Sequence, residues 1–182
     1  CYCIMIRMYN RQFCELPEKL VIDGVPQFGT YKTCPQKLDI KYVKEPFNCF
    51  PVPSFFTNLR IRANITYVLN IDNFVGVVDF FDSKYFCFIE VVLWDKETKK
   101  KYAYRTVFGF KRLVPKNLEK ATCGNFRKKR YIKISWDKSK EKFTLVFNAK
   151  GDDARPNFAA TFKRNGELLG EFCTINPSPT KR

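Results

Sequence analysis

Histidine is missing from all 182 residues, and that single absence removes several chemistries from this chain. Without an imidazole there is no Ser-His-Asp or Cys-His arrangement, no H-E-x-x-H zinc site and no facial-triad iron site. Neither G-x-x-x-x-G-K-[ST] nor G-x-G-x-x-G occurs, so the common glycine-rich phosphate cradles are missing too. No C-x-x-C pair stands among the 8 cysteines. Long apolar runs are also lacking. The longest uncharged stretch covers residues 46–59 and holds Pro46, Pro51 and Pro53, well short of the ~20 apolar residues of a membrane span, so no transmembrane segment is expected. No cofactor is implied by any motif.

What is present is hydrophobic (45%) and aromatic (16%) enough for a folded core, together with a formal net charge of +15. The charge is local. Residues 1–94 and 151–182 each carry a net +1, whereas residues 95–150 hold 18 Lys and Arg against 5 Asp and Glu. A surface with that excess attracts nucleic acid, an anionic lipid surface or acidic protein.

The cysteines (Cys1, Cys3, Cys14, Cys34, Cys49, Cys87, Cys123, Cys173) are scattered, and Cys87 and Cys173 lie in apolar, strand-like runs where a free thiol packs as a small hydrophobe. Reduced thiols in an intracellular, cytoplasmic rather than nuclear, setting are expected, because a chain of this length needs no disulfide framework. A secreted alternative rests on the even cysteine count and the sequon Asn64-Ile65-Thr66. The start at Cys1 without Met and the end just after a strand-like run suggest a piece of a longer protein.

Prolines 17, 26, 35, 46, 51 and 53 and the turn Asp23-Gly24 mark residues 1–57 as an irregular arm or cap. The pattern then changes to period two. Leu59, Ile61, Ala63, Ile65, Tyr67 and Leu69 alternate with Arg60, Arg62, Asn64 and Thr66, the mark of a half-buried strand. Residues 74–81 form a further strand, residues 85–108 a hairpin, and residues 131–147 a second hairpin through Asp137-Lys138-Ser139-Lys140. A third hairpin is expected around Asn165-Gly166, between 158–162 and 168–172. Weak helical periodicity appears only at 115–121. The expectation is an all-β antiparallel meander over residues 58–176, folded into a sandwich or lipocalin-like barrel, followed by a tail at 177–182. The triplets Trp94-Asp95-Lys96 and Trp136-Asp137-Lys138 read as two uses of the same turn chemistry rather than a propeller repeat.

Alternation along 101–108 and 131–134 places Lys101 and Arg105 opposite Tyr102, Tyr104 and Phe108, and Tyr131 and Lys133 opposite Ile132 and Ile134. If the two hairpins are neighbours they form one basic face. The candidate anion-binding residues are therefore Lys99, Lys100, Lys101, Arg105, Arg127, Lys128, Lys129, Arg130 and Lys133. A β-surface of cations with interspersed rings suits single-stranded nucleic acid, with phosphates on the cations and bases on the rings. Two enzyme-like readings are weaker. Asp72, Asp79 and Asp82 could supply a carboxylate pair, completed by a missing part of the chain, but Asp72-Asn73 and Asp82-Ser83 are turn signatures. Cys123, in an expected loop between Lys120 and Arg127, could be an acidified thiol.

The order of Cys14-Glu15-Leu16-Pro17, Asp23-Gly24, Gly29, a proline-rich stretch, Leu59-Arg60-Ile61-Arg62, and residues 85–94 followed by Asp95-Lys96-Glu97-Thr98 resembles the N-terminal half of the domain-of-unknown-function family numbered 2804. The resemblance covers residues 12–165 through short motifs, and Arg60-Ile61-Arg62-Ala63 departs from the Lys-Glu-Trp type of motif that family would have there. It implies a large β-sandwich or barrel, distantly like the lipocalin-type barrels that hold apolar ligands, in a protein longer than this chain. It carries no activity. The sequence thus points to a noncatalytic protein that binds an anionic partner, with a barrel holding a small apolar ligand as the alternative.

Overall fold

The computed structural model describes residues 12–40, 43, 53–59, 61–109, 113–163 and 170–176. Its core is two four-stranded antiparallel sheets. The first is a meander of β5 (Ala63–Ile71), β6 (Phe74–Asp82), β7 (Phe86–Asp95) and β8 (Lys101–Gly109), paired in that order. The second orders β12 (Phe158–Lys163), β11 (Lys142–Ala149), β10 (Arg130–Asp137) and β9 (Lys120–Arg127). The earlier strands belong to the N-terminal segment: β1 (Phe13–Cys14), β2 (Val21–Ile22), β3 (Val25–Pro26) and β4 (Gly29–Tyr31). A six-residue helix α1 (Ser54–Leu59) precedes β5, so Leu59, which the alternation assigns to the first strand, ends a helix instead.

Each sheet turns one set of alternate side chains inward. Val78, Phe80, Ile89, Val91, Leu93 and Tyr104 from the first sheet meet Ile132, Ile134, Leu145 and Phe147 from the second, all within 2% of full burial. Burial of this many branched and aromatic groups supplies the main stabilising free energy, each contributing about 1.5–3 kcal/mol. The strands of one sheet cross those of the other. Passing along β8 from Tyr102 to Phe108, one meets Phe158 of β12, then Arg130 of β10, then Arg127 of β9. Meanwhile Phe143, at the start of β11, packs on Tyr67 of β5 at 5.2 Å. One strand of the second sheet therefore spans the width of the first, which is the orthogonal mode of sheet packing. Neither sheet closes on itself, so the fold is a sandwich and not the barrel offered as an alternative; its interior is filled with side chains among the described residues.

Exposed sheet edges invite pairing with other chains. The outer edge of β8 is blunted by two guanidinium groups: Arg155 donates to the Ala103 carbonyl at 2.8 Å, and Arg130 donates to the Arg105 carbonyl. Tyr104 adds a hydroxyl donated to the Pro156 carbonyl at 2.6 Å.

Two expectations change. Of the third hairpin, the turn and residues 168–169 lie outside the described residues; residues 170–172, expected in its return strand, are not a strand, and β13 (Cys173–Ile175) pairs with β4. Strand β13 thereby completes a three-stranded sheet, β1-β4-β13, over a small core of Leu20, Tyr31 and Ile175. The N-terminal segment is thus tied to the far end of the chain. Second, residues 120–127 are strand β9, not the end of a weak helix followed by a loop.

Both Trp-Asp-Lys triplets do use the aspartate to build a turn. Asp95 accepts from the backbone N–H of Glu97 (2.9 Å) and Thr98 (3.2 Å), and Asp137 accepts from the Ser139 hydroxyl (2.7 Å). The Thr98 hydroxyl, first of all, and the Ser139 hydroxyl hold these two carboxyls below their ordinary pKa. The tryptophans face opposite ways, however. Trp94 is exposed on the outside, while Trp136 is buried and donates its indole N–H to the Leu118 carbonyl at 2.7 Å. Copies of one repeat would share an environment; these do not.

Candidate anion-binding face

The inward packing of both sheets has a direct consequence for the basic residues. Lys101 and Arg105 point out from the first sheet and Lys133 points out from the second, so they stand on different outer faces and do not form one continuous surface. Alternation fixes in and out along a strand, and it is silent about which sheet a strand joins.

On the first face most cations are already engaged. Arg105 makes a bidentate contact with Glu90, both hydrogen bonds at 3.1 Å, and its guanidinium lies 5.1 Å from the Phe88 ring centroid. The Glu90 hydrogen bonds raise its pKa further. Lys101 sits over the Trp94 ring at 5.6 Å. Lys99 and Lys100 are exposed in the β7–β8 turn, where Lys99 adopts a left-handed φ of 56°. Around them the face is apolar: the cross-strand row Val68, Val77, Val92 and Ala103 runs across all four strands, with Val68 74% exposed. Asp79 accepts from the Thr66 hydroxyl at 2.7 Å. Asp82 is buried and accepts from the backbone N–H of Lys84 (2.8 Å) and Leu113 (3.2 Å), while Asp72 holds a turn with φ 41°. Each of the three candidate carboxylates thus has a structural task, and they do not converge on one site.

The second face is built from β9 and β10, joined by the turn Lys128-Lys129. Asn125, 2% exposed, braces that turn from beneath: its amide donates to the Arg130 carbonyl (2.8 Å) and accepts from the Arg127 backbone N–H (3.2 Å). The Lys150 backbone N–H meets the Lys129 carbonyl at 2.9 Å. Arg127 is drawn over the Phe108 ring (5.0 Å), and Arg130 to the β8 edge, which leaves Lys128 and Lys129 at the exposed tip. Along the outside of the hairpin, Phe126 stands opposite Tyr131, their ring centroids 5.5 Å apart, and Phe126 is 61% exposed. Next come Gly124 opposite Lys133, then Thr122 opposite Ser135, then Lys120 opposite Asp137. At 124 a Cβ would lie 2.2 Å from the Ile132 carbonyl oxygen, so only glycine fits, and the floor beside Lys133 stays flat.

Strands β11 and β12 extend the face with Lys142 and Lys163. At the outward strand positions of β9–β12 the only carboxylate is Asp137, which pairs with Lys120 at 3.3 Å; exposed Glu141 stands beside Lys142 in the β10–β11 connection. A depression of about 440 Å³, lined by Phe108, Gly109, Asn125, Phe126 and Arg127, opens where this face turns the corner onto β8.

Of the residues proposed from sequence, the structure gathers Arg127, Lys128, Lys129, Arg130 and Lys133 on one hairpin and leaves Lys99, Lys100, Lys101 and Arg105 on the other face, where the Arg105 backbone carbonyl alone meets the hairpin through Arg130. Lys120, Phe126, Lys142 and Lys163 were missed. For Lys120 and Phe126 the signal was the alternation Lys120, Thr122, Gly124, Phe126, obscured by Gly124-Asn125, which reads as a loop. Cys123, on the inward side, is not an acidified thiol: burial pushes it up to about 12. No group of three or more potential ligands is placed to hold a metal, and no helix is long and apolar enough to cross a membrane, among the described residues. No family model, no curated protein and no solved structure matches the chain.

Proposed function

We propose that this chain is a noncatalytic binding protein whose β9–β12 outer face engages an anionic partner, with single-stranded nucleic acid as the partner that suits it best. The observation that carries the reading is the composition of that face: Lys120, Lys133, Lys142 and Lys163 at outward strand positions against Asp137, with Lys128 and Lys129 at the exposed β9–β10 turn. The exposed Phe126 ring, backed by half-buried Tyr131, favours nucleic acid over a lipid or an acidic protein, since bases stack on aromatic rings while phosphates sit on lysines. Arg127 and Arg130 brace the site rather than contact the partner, because they are held by Phe108 and the β8 edge, while Arg105 is engaged with Glu90 on the other face.

The test compares a labelled single-stranded oligonucleotide, phosphatidylserine vesicles and polyglutamate, titrated against the wild-type chain and Phe126→Ala. Tight, salt-sensitive oligonucleotide binding that Phe126→Ala weakens is expected, with the other two polyanions bound more weakly and without regard to Phe126. Equal binding of all three would remove the nucleic-acid assignment and leave only a basic surface; binding to none would remove the function.

A further inference from the structure

Cys34 and Cys173 come from opposite ends of the described chain and meet where the small three-stranded sheet joins the sandwich. Cys173 stands opposite Tyr31 in the β4–β13 pair, and Cys34 follows Tyr31 just after β4 ends. Cys34 packs against the large core and Cys173 against the small one. Both thiols are half-buried, and the Cys34 thiol donates at 3.5 Å to the carbonyl of Phe172, the residue next to Cys173. Cys14 also faces Tyr31, but from the far side of β4. Two strand spacings, about 9.5 Å, separate it from Cys173, beyond the roughly 7 Å between Cα atoms that a disulfide spans.

We infer that Cys34 and Cys173 are a dithiol–disulfide pair, a redox-modification site that clamps the N-terminal segment to strand β13 and to the sandwich beneath. Cys173 is the attacking group. The neighbouring Cys34 thiol holds its pKa below the ordinary value, whereas Cys34 is pushed up, first by Cys173 beside it and then by burial and the nearby Glu171 carboxylate. The Cys173 thiolate attacks one sulfur of a small-molecule disulfide such as oxidised glutathione. That S–S bond breaks, and the departing thiolate leaves with the electron pair and takes up a proton. Cys34, its proton passed to solvent, then attacks the Cys173 sulfur of the mixed disulfide and expels the second thiolate, which is protonated in turn. Overall two protein thiols lose two electrons and two protons, and one small disulfide becomes two thiols. The new bond would close a loop of more than a hundred residues, the regime in which a cross-link restricts the unfolded chain most.

The experiment equilibrates the full chain in mixtures of reduced and oxidised glutathione, quenches with acid, alkylates and maps peptides by mass. A peptide linking Cys34 to Cys173 should appear, reversed by dithiothreitol and accompanied by a rise in Tm of roughly 5–10 °C. In Cys34→Ser the reaction should stop with one glutathione held on Cys173. A map in which Cys34 and Cys173 remain alkylatable while other cysteines oxidise, or in which either pairs with Cys14, would overturn the proposal. The wild-type map decides this even if the serine variant fails to fold.

Discussion

The two outer faces of the sandwich are built by the same rule and end with opposite characters. Outside the first sheet, valines run in a row and the cations rest on partners: Arg105 on Glu90 and Phe88, and Lys101 on Trp94. Outside the second, lysines surround an exposed ring and an already paired carboxylate. Formal charge along a sequence therefore overstates what a surface offers. Arg105 and Lys133 contribute equally to the net charge, yet only Lys133 lies where a polyanion would meet other cations and a stacking ring.

The largest expected difference between the faces comes from matched charge reversals. Lys128→Glu, Lys129→Glu and Lys133→Glu together should weaken oligonucleotide binding by about 100-fold or more at physiological salt, since each lysine lost removes a phosphate contact and each glutamate adds repulsion. The same change in net charge at Lys99, Lys100 and Lys101 should cost about threefold or less, because charges beyond the ~8 Å Debye length are screened. Comparable losses measured by fluorescence anisotropy would erase the distinction. Phe126→Ala should cost about 1–3 kcal/mol, the range for one stacked base, and leave the salt dependence unchanged.

Behind each face lies a core residue that sharpens the comparison further. On the second sheet, Cys123 is kept protonated up to about 12, against an ordinary value of 9.0. The raised folded-state pKa means that its contribution to stability is complete below pH 9 and is lost as pH climbs toward 12, since the unfolded chain ionises first. Urea midpoints should fall across that window, and Cys123→Val should flatten the fall. On the first sheet, Thr106 buries a hydroxyl that finds no partner among the described residues. Thr106→Val, which keeps the shape and removes that polar atom, should stabilise the fold by about 1 kcal/mol in the same titration.

Much of the architecture was legible in the sequence, because local period-two patterning is what sets in and out on a strand: Ile65, Tyr67 and Leu69 pack on the core, and the 85–108 and 131–147 hairpins stand where alternation put them. What escaped it was non-local. The pairing of β13 with β4 joins residues 29–31 to 173–175, and nothing near Asn165-Gly166 announces a strand that leaves its neighbour for another sheet. The division of the basic residues escaped for the same reason. Lys101 and Lys133 both read as outward, and only the membership of their strands in two sheets packed face to face reveals that their outward directions differ. Strand β9 was masked by Gly124, which in a strand signals close backbone approach, here to Ile132, rather than a loop.

The most direct check on the central claim, that the β9–β12 face is the anion-binding surface, is the slope of log K against log salt for a single-stranded oligonucleotide. Counterion release gives each phosphate contact about 0.7 in that slope, so the Lys128, Lys129 and Lys133 reversals should flatten it by about 2, while the Lys99, Lys100 and Lys101 reversals leave it unchanged. A slope lowered by the second set and not by the first would contradict the account.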